Sequence, residues 1–200
     1  MSASNFNFVA PFYDLLVSIV FKRSLQIAQQ FYLHKINPKD KVLIIGGGTG
    51  QILTWLPDCE VTYLELSKAM IVRAKKKGQA HFIQADFLAY PSDQTFDWII
   101  CPFFLDCFDE ENLKKVLSKI HAHLGSTGQL MVTDFQDNGR WTFRIKLWTM
   151  LLFFRLVALL KTKELPPINQ CIQQNGFDHI ESKLFSKGSF FSAIYAPTDS

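Results

Sequence analysis

The sequence is short of the features that cross-link a fold or hold a metal. Its four cysteines, Cys59, Cys101, Cys107 and Cys171, are scattered, and no two of them form a C-x-x-C pair. Free thiols in a reducing cytosol are therefore expected, and no disulfide framework. The histidines are scattered as well. Because zinc needs Cys or His ligands at clustered spacing, the sequence predicts no metal site.

Strong charge and a targeting segment are also missing. The formal net charge is only +3, and nucleic-acid binders usually carry a larger basic footprint, so no nucleic-acid partner is expected. The opening MSASNFNF has neither a basic start nor an apolar run, which argues against a secretory signal and for a cytoplasmic protein. The chain is instead 48% hydrophobic, with 19 phenylalanines, which suits one compact domain over residues 1–200.

Apolar segments follow strand and helix patterns in alternation. Residues 11–33 predict a leading helix, part of an N-terminal helical cap over residues 1–40. The alternation that follows predicts a doubly wound, mostly parallel seven-stranded α/β sheet. Ser186-Lys187-Gly188 joins the last two strands and predicts an antiparallel hairpin at the sheet edge. The predicted strands are residues 41–45, 60–64, 80–84, 96–101, 129–135, 177–185 and 189–196, and the predicted helices are 51–56, 67–77, 110–124 and 166–175.

A glycine cluster separates the first of these strands from the next helix. In the run VLIIGGGTG, glycines stand at positions 46, 47, 48 and 50. They permit a close approach of ligand to backbone, although a plain tight turn would also use them. Glu65 ends the second strand, where a ribose-binding carboxylate belongs, and Asp86 follows the third. A NAD fingerprint would need glycine at Gln51, so the spacing favours a ligand without a pyrophosphate.

Five segments, taken in order, resemble the successive motifs of class I S-adenosylmethionine (AdoMet)-dependent methyltransferases. They are VLIIGGGTG, YLELSKAMI, QADF, FDWIICPFFLDCF and LGSTGQLMVTDF. The resemblance covers roughly residues 41–135, and the terminal hairpin agrees with the family's antiparallel seventh strand. It implies a Rossmann-like methyltransferase fold and AdoMet as the cofactor.

The resemblance also implies roles for individual residues. The glycine loop would cradle the methionine and ribose, Glu65 would hold the ribose, and Asp86 with Phe87 would hold the adenine. Ile44 departs from the family, which commonly has an acid there to help hold the methionine amino group. Backbone carbonyls, including that of Cys101, are expected to replace that acid. The full set of expected cofactor residues is Gly46, Gly47, Gly48, Gly50, Glu65, Leu66, Met70, Asp86, Phe87 and Cys101.

The methyl acceptor is expected beyond the fourth strand, where Phe103 would contact it. Asp106 is the candidate catalytic base for a hydroxyl acceptor. Alternatively, Asp106 and Asp109 only start the next helix, where carboxylates suit the helix dipole. Ahead of the domain, NFVAPFYDLL resembles the leading segment of quinone and phospholipid methyltransferases. That resemblance places Tyr13 at the mouth of the active site, and ordinary core packing has an equal claim on it.

Residues 140–163 combine six basic residues, no acidic ones and many bulky apolar ones. The segment is too short and too basic to span a bilayer comfortably. A lid over residues 139–164 is expected, with Trp148 at the acceptor. Four roles remain open for this segment: packing on its own domain, an apolar substrate pocket, a membrane-surface contact and a dimer interface.

The sequence thus predicts transfer of a methyl group from AdoMet to a small, apolar or aromatic acceptor, such as a quinone precursor or a lipid. One alternative is an AdoMet-binding domain without turnover, motivated by Ile44. Another is a peripheral membrane interaction protein that uses residues 139–164. The oligomeric state is left open.

Overall fold

A computed structural model describes residues 22–91, 93–136 and 166–198 of the chain. Tyr13, Trp148, the cap before residue 22 and the segment 139–164 lie outside the described residues. The roles expected for them therefore stay predictions.

The described chain follows the predicted order of strands and helices. The helices are α1 (Lys22–Gln30), α2 (Lys68–Ala74), α3 (Glu110–His123) and α4 (Ile168–Gln174). The strands are β1 (Lys41–Ile45), β2 (Glu60–Glu65), β3 (His81–Gln84), β4 (Phe96–Pro102), β5 (Leu124–Phe135), β6 (Phe177–Phe185) and β7 (Phe190–Pro197). Short 3-10 helices lie at Leu33–Lys35, Gln51–Thr54, Phe87–Ala89, Leu105–Cys107 and Ser186–Gly188.

The seven strands form one sheet in the order β3-β2-β1-β4-β5-β7-β6. Strands β1 to β5 run parallel, and β7 is antiparallel to both β5 and β6. The predicted fold and its terminal hairpin are confirmed. The strand order reverses between β1 and β4, and open sheets of this kind bind ligands at the carboxyl ends of the strands beside such a reversal.

The two faces of the sheet are buried under different elements. Leu43 and Ile45 point into the cluster that packs against α3 and α4, whereas Ile44 between them points into the opposite cluster. This alternation is the period of two expected for a strand buried on both sides. It makes Ile44 a core residue with none of its surface exposed.

The predicted helices are shorter in the structure, and two of the differences have a clear cause. The helix predicted over residues 51–56 is the 3-10 helix Gln51–Thr54, because left-handed Gly50 precedes it at φ 76° and Pro57 follows soon after. The leading helix ends at Gln30, since Tyr32 and Leu33 turn into the core, where each is 3% exposed.

Strand β5 begins five residues before its predicted start, since Leu124 pairs with Phe96 directly after α3. The predicted N-cap of α2 is confirmed, because the Ser67 side chain accepts from the backbone N–H of Met70. None of the helices in the described ranges is long and apolar enough to cross a membrane.

Candidate cofactor and acceptor site

The glycine loop leaves β1 at the strand-order reversal, and three of its glycines have left-handed backbone. Their φ angles are 68° at Gly46, 62° at Gly48 and 76° at Gly50. A Cβ on Gly46 would lie 2.5 Å from the Phe104 ring, and one on Gly50 would lie 2.6 Å from Ala74. A Cβ on Gly48 would meet no protein atom within 4 Å. Gly48 is therefore the position at which the loop faces open space.

Two side chains from β2 hold Gly48 in place. The Glu65 carboxylate accepts from the N–H of Gly48 at 3.1 Å and, through its other oxygen, from the N–H of Ser67 at 2.9 Å. The Tyr63 hydroxyl donates to the carbonyl of Gly48 at 3.0 Å. Tyr63 also fills the space beside Gly47, where a Cβ would lie 2.4 Å from its hydroxyl oxygen. The sequence analysis did not identify Tyr63, although its alternation with Glu65 on β2 could have suggested it.

Glu65 is buried, with 8% of its surface exposed. That burial raises the pKa of Glu65, while the N–H donors of Ser67 and Gly48 oppose the rise. The N–H of Leu66 also donates to this carboxylate, and of its four acceptor positions one remains for a ligand hydroxyl. Glu65 can therefore hold the loop and accept from a ribose at the same time.

Asp86 lies two residues after the neighbouring strand β3 and is exposed. The Asp86 carboxylate accepts from the N–H of Leu88 at 2.9 Å and so caps the turn Phe87–Ala89. The Phe87 ring points into the core and is 2% exposed, with the Phe104 ring 6.5 Å away in an edge-on arrangement. Of this pair, only the Asp86 side chain faces solvent.

The two remaining side chains predicted beside the adenine lie at the start of α2. Leu66 is half-buried, and its carbonyl accepts from the Gln84 side chain at 3.4 Å. Met70 is buried, at 5% exposure. The Leu66 contact links the end of β2 to the end of β3, and the N–H of Met70 donates to the Ser67 side chain at 3.3 Å.

The chain after β4 turns back against the glycine loop. Cys101 is fully buried, and burial raises the pKa of its thiol. Phe103 has a left-handed backbone at φ 54°, an uncommon state for a bulky residue that often marks a functional turn. Its N–H donates to the carbonyl of Thr133 at 2.7 Å, and its ring packs 5.0 Å from that of Phe135. Phe103 is thus fixed at an aromatic wall between β4 and β5.

Asp106 follows in the 3-10 helix Leu105–Cys107 and is not the N-cap of α3, a role that Asp109 fills by accepting from Asn112. Burial raises the pKa of Asp106 to about 6. Its carboxylate accepts from the Cys107 thiol at 3.5 Å. Of the two acids that could start α3, Asp109 does so and Asp106 does not.

A second buried carboxyl group, Asp134 on β5, lies at the same turn. It has no exposed surface and accepts from the backbone N–H groups of Leu105 at 3.0 Å and Asp106 at 3.2 Å. The sequence analysis did not name Asp134 as a site residue. Its contacts join residues nearly 30 positions apart, which no local pattern reveals.

The structure thus brings the glycine loop, Glu65, Phe104 and Asp106 together at one edge of the sheet. Asp86 lies at the same edge, two strands from β1. Within the three described ranges, no group of His, Cys, Asp and Glu side chains could hold a metal ion.

Comparisons with known proteins agree with this geometry. Residues 42–128 match the family model of a methyltransferase domain. The malonyl-[acyl-carrier protein] O-methyltransferase of Priestia megaterium is 27% identical over 146 residues, covering 70% of this chain and 52% of that protein. The ubiquinone/menaquinone biosynthesis C-methyltransferase UbiE of Teredinibacter turnerae is 28% identical over 149 residues, covering 66% of this chain and 59% of that protein. The chain therefore spans little more than half the length of these relatives.

A solved structure shares the fold. The 1,6-didemethyltoxoflavin-N1-methyltransferase of Burkholderia thailandensis, determined with 1,6-didemethyltoxoflavin and S-adenosylhomocysteine, superposes with a TM-score of 0.72 at 15% identity. The match covers 98% of this chain and 88% of that one. The strand order and the glycine loop agree with the match of residues 42–128 to a methyltransferase domain.

Proposed function

We propose that the protein binds AdoMet at the glycine loop and transfers its methyl group to a small, apolar or aromatic acceptor. The observation that carries the proposal is the open space at Gly48, braced by Glu65 and Tyr63 at the carboxyl ends of β1 and β2. A loop that served only as a turn would not need two buried side chains to present one backbone position to solvent.

The residues present fit such a cofactor. The loop offers close backbone approach at Gly48 for the methionine and ribose. Glu65 retains one acceptor position for a ribose hydroxyl, and the exposed Asp86 carboxylate can accept from an adenine amino group. Phe87, with its ring in the core, would contribute through its backbone. Leu66 and Met70, which follow Glu65, supply an apolar surface.

When bound, AdoMet supplies a methyl group already activated by its sulfonium charge. The protein then needs to orient the acceptor and exclude water rather than to build a nucleophile. The partly exposed Phe103 ring lies beside the turn after β4 and packs on the buried rings of Phe135 and Phe190, so it can orient an apolar ring. A base at Asp106 would hold the proton of a hydroxyl acceptor.

The acceptor class follows from this wall and from the relatives. Among those relatives, one is named for quinone biosynthesis and another for malonyl-acyl-carrier protein. A quinone precursor, a lipid or an aromatic acid would match an apolar wall, with Tyr13 and Trp148 of the outlying segments as further proposed contacts. A lid over residues 139–164 would complete the enclosure.

The test begins with calorimetric titration of AdoMet and S-adenosylhomocysteine into the purified chain. Binding of both, followed by product formation by mass spectrometry with a panel of quinone precursors, aromatic acids and lipids, would support the proposal. If neither nucleotide binds the folded chain, the proposed function is wrong.

Two further candidates have specific motives. A domain that binds AdoMet without turnover is favoured by Ile44, which is buried where the family commonly has an acid. AdoMet binding without product formation on any acceptor would support this candidate.

Peripheral membrane contact is favoured by the basic and apolar composition of residues 140–163. Co-sedimentation with anionic and neutral vesicles, with and without charge reversal in that segment, would test this contact.

A further inference from the structure

The two edges of the sheet differ in length and in the residues that flank them. At one edge, β3 has four residues, and the exposed Lys75, Lys76 and Lys77 precede it. At the other edge, β6 has nine residues, and β7 is its only strand partner in the described part of the chain. A short strand flanked by charge resists addition of a further strand, whereas a long edge strand offers unpaired backbone groups to one. A second chain could therefore pair with β6 more readily than with β3.

Large apolar side chains are exposed at the β6 edge. Ile180 is 50% exposed and Leu184 is 56% exposed. Phe31, which follows α1 directly, is also exposed, and its ring lies 5.5 Å from that of Phe185. Ile27, one turn earlier, is exposed as well. Of the five large hydrophobic side chains exposed in the described ranges, four thus lie on β6, on α1 or directly after it, and such a concentration marks an interaction surface.

Opposite charges stand between the two exposed apolar residues of β6. Glu181 forms an ion pair with Lys35, and the Glu181 side chain keeps 38% of its surface exposed. Lys183 is exposed, and no ion pair joins it to another described residue. A lysine on an edge strand ordinarily disfavours pairing, because strand addition brings it opposite a residue that does not compensate its charge. A strand that presents a carboxylate opposite Lys183 would remove this obstacle.

The order of these residues makes the middle of β6 complementary to a second copy of itself. In antiparallel pairing centred on Ser182, each Glu181 lies opposite a Lys183 of the other copy. Each Ile180 then lies opposite a Leu184. Pairing centred on Glu181 or on Lys183 would instead place like charges opposite each other. Because opposite charges stabilise a cross-strand pair and like charges destabilise it, the charges favour the register centred on Ser182.

We propose that the protein forms a symmetric dimer in which β6 pairs with β6 of a second copy in this register. The two seven-stranded sheets become continuous, and the two-fold axis passes perpendicular to them between the two Ser182 residues. Both copies then have α1 on the same face of the joined sheet, where the exposed Ile27 and Phe31 extend the apolar contact. The dimer does not depend on AdoMet binding.

A bulge in β6 limits the size of this interface. The pairing of β6 with β7 shifts register between His179 and Glu181, and a bulge of this kind bends the strand. Pairing with the second copy is therefore confined to the middle of β6 and the flank of α1. Because interfaces below the standard size are weak or transient, the dissociation constant of the dimer should lie in the micromolar range.

Sedimentation velocity of the purified chain across the micromolar range tests the dimer. The wild type should pass from one to two chain masses as its concentration rises. Lys183→Glu places glutamates opposite glutamates on both sides of the axis and should weaken dimerisation by at least roughly tenfold. Lys76→Glu makes the same charge change beside β3 and should leave dimerisation unchanged. Circular dichroism checks that each variant is folded.

A charge exchange tests the register. Glu181→Lys should also be monomeric, because it places lysines opposite lysines. In an equimolar mixture of Lys183→Glu and Glu181→Lys, every glutamate of one chain lies opposite a lysine of the other, so a mixed dimer should form. Ser182→Cys should give a disulfide-linked dimer on mild oxidation, since position 182 lies opposite itself. Asp178→Cys, exposed on the same strand, and the wild type with its four cysteines should not.

The opposite results would overturn the proposal. A wild type that stays monomeric throughout, or a dimer that Lys183→Glu leaves intact, would show that β6 is not the contact between copies. Failure of the mixture to dimerise, or equal cross-linking of Asp178→Cys, would overturn the register centred on Ser182 and the proposal with it. Three strands separate β6 from β1 and its glycine loop, so the dimer and the proposed cofactor site can fail independently.

Discussion

The two sides of the candidate site are built from different kinds of contact. On the cofactor side, Glu65 and Tyr63 hold a glycine that comes fewer than 20 residues earlier in the chain. On the acceptor side, Asp134 holds a turn nearly 30 residues before it, and no glycine is involved. The cofactor side presents backbone to open space, whereas the acceptor side has aromatic rings, the buried carboxyl group of Asp134 and the partly buried one of Asp106.

The difference matches the two kinds of ligand proposed for the two sides. A nucleoside and an amino acid present the same atoms to every enzyme that uses them, so backbone donors and two acids at strand ends suffice. The proposed acceptor would instead meet side chains such as Phe103, which is held by contacts with β5. Changes on the cofactor side should therefore alter AdoMet affinity, and changes on the acceptor side should alter acid–base behaviour and turnover.

The largest effect is expected from Gly48→Val. A side chain at this position enters the space proposed for the cofactor without touching protein, so AdoMet affinity should fall by at least roughly a hundredfold, or about 2.7 kcal/mol. Gly48→Ala should give an intermediate loss. Titration calorimetry measures both, and circular dichroism checks the fold.

Gly176→Ala is the matched control. Gly176 is also left-handed, at φ 83°, and a Cβ there would make ordinary contacts at 3.6 Å. The backbone strain is therefore comparable with that of Gly48→Ala, and AdoMet affinity should not change. Wild-type affinity in Gly48→Val would show that the loop is only a turn.

Next in size is Glu65→Ala. It removes the acceptor for the Gly48 N–H and for the proposed ribose hydroxyl, so AdoMet binding should weaken by roughly ten- to a hundredfold. Glu60→Ala, at the exposed opposite end of the same strand, is the control. Should Glu65→Ala fold and bind as the wild type does, the ribose assignment fails.

The fold and the cofactor side were largely predictable because they depend on patterns within short stretches of the sequence. Strand periodicity gave the seven strands, and the interval from the glycines to Glu65 gave a carboxylate that does contact Gly48. The ring of Phe87 could not be placed from its neighbour Asp86, because its burial depends on Phe104 and on α3. Asp134 and Tyr63 were missed since their roles come from hydrogen bonds to distant backbone groups.

A smaller effect, on stability, is expected at the acceptor side. The pKa of Asp106 rises from 3.8 to about 6 on folding, so the folded state binds more protons between these values. Stability contributed by this group is then present below pH 4 and lost as the pH rises to about 6. Asp106→Asn should remove that loss and raise the urea midpoint at pH 7.5 relative to the wild type, with little difference at pH 4.

Comparison with Asp109→Asn, an exposed carboxylate three residues later, controls for surface charge. Urea unfolding followed by tryptophan fluorescence gives both midpoints. A lower midpoint for Asp106→Asn at pH 7.5 would mean that the ionised carboxylate stabilises the fold, contrary to the acid–base assignment.

The smallest effect is expected from Lys119→Met on α3, the helix that joins the two sides. Its Nζ donates to the carbonyls of Leu88 at 3.0 Å and Tyr90 at 2.5 Å and lies 5.3 Å from the centre of the Phe87 ring. Lys119 thereby holds the turn behind Asp86 without facing the ligand itself. Because the Asp86 cap on Leu88 remains, removal of the ammonium should loosen the turn only partly and cost a few-fold in AdoMet affinity, about 1 kcal/mol.

Lys115→Met supplies the control for that change. Lys115 lies one turn earlier on the same helix and is paired with the exposed Glu111. Its loss removes the same charge from α3 and should leave AdoMet affinity unchanged. If both variants weaken binding equally, the effect of Lys119 is one of general charge. The other outcome is that Lys119→Met alone weakens AdoMet binding while its urea midpoint stays near that of Lys115→Met. That result would show that α3 also positions the turn Phe87–Ala89 behind Asp86.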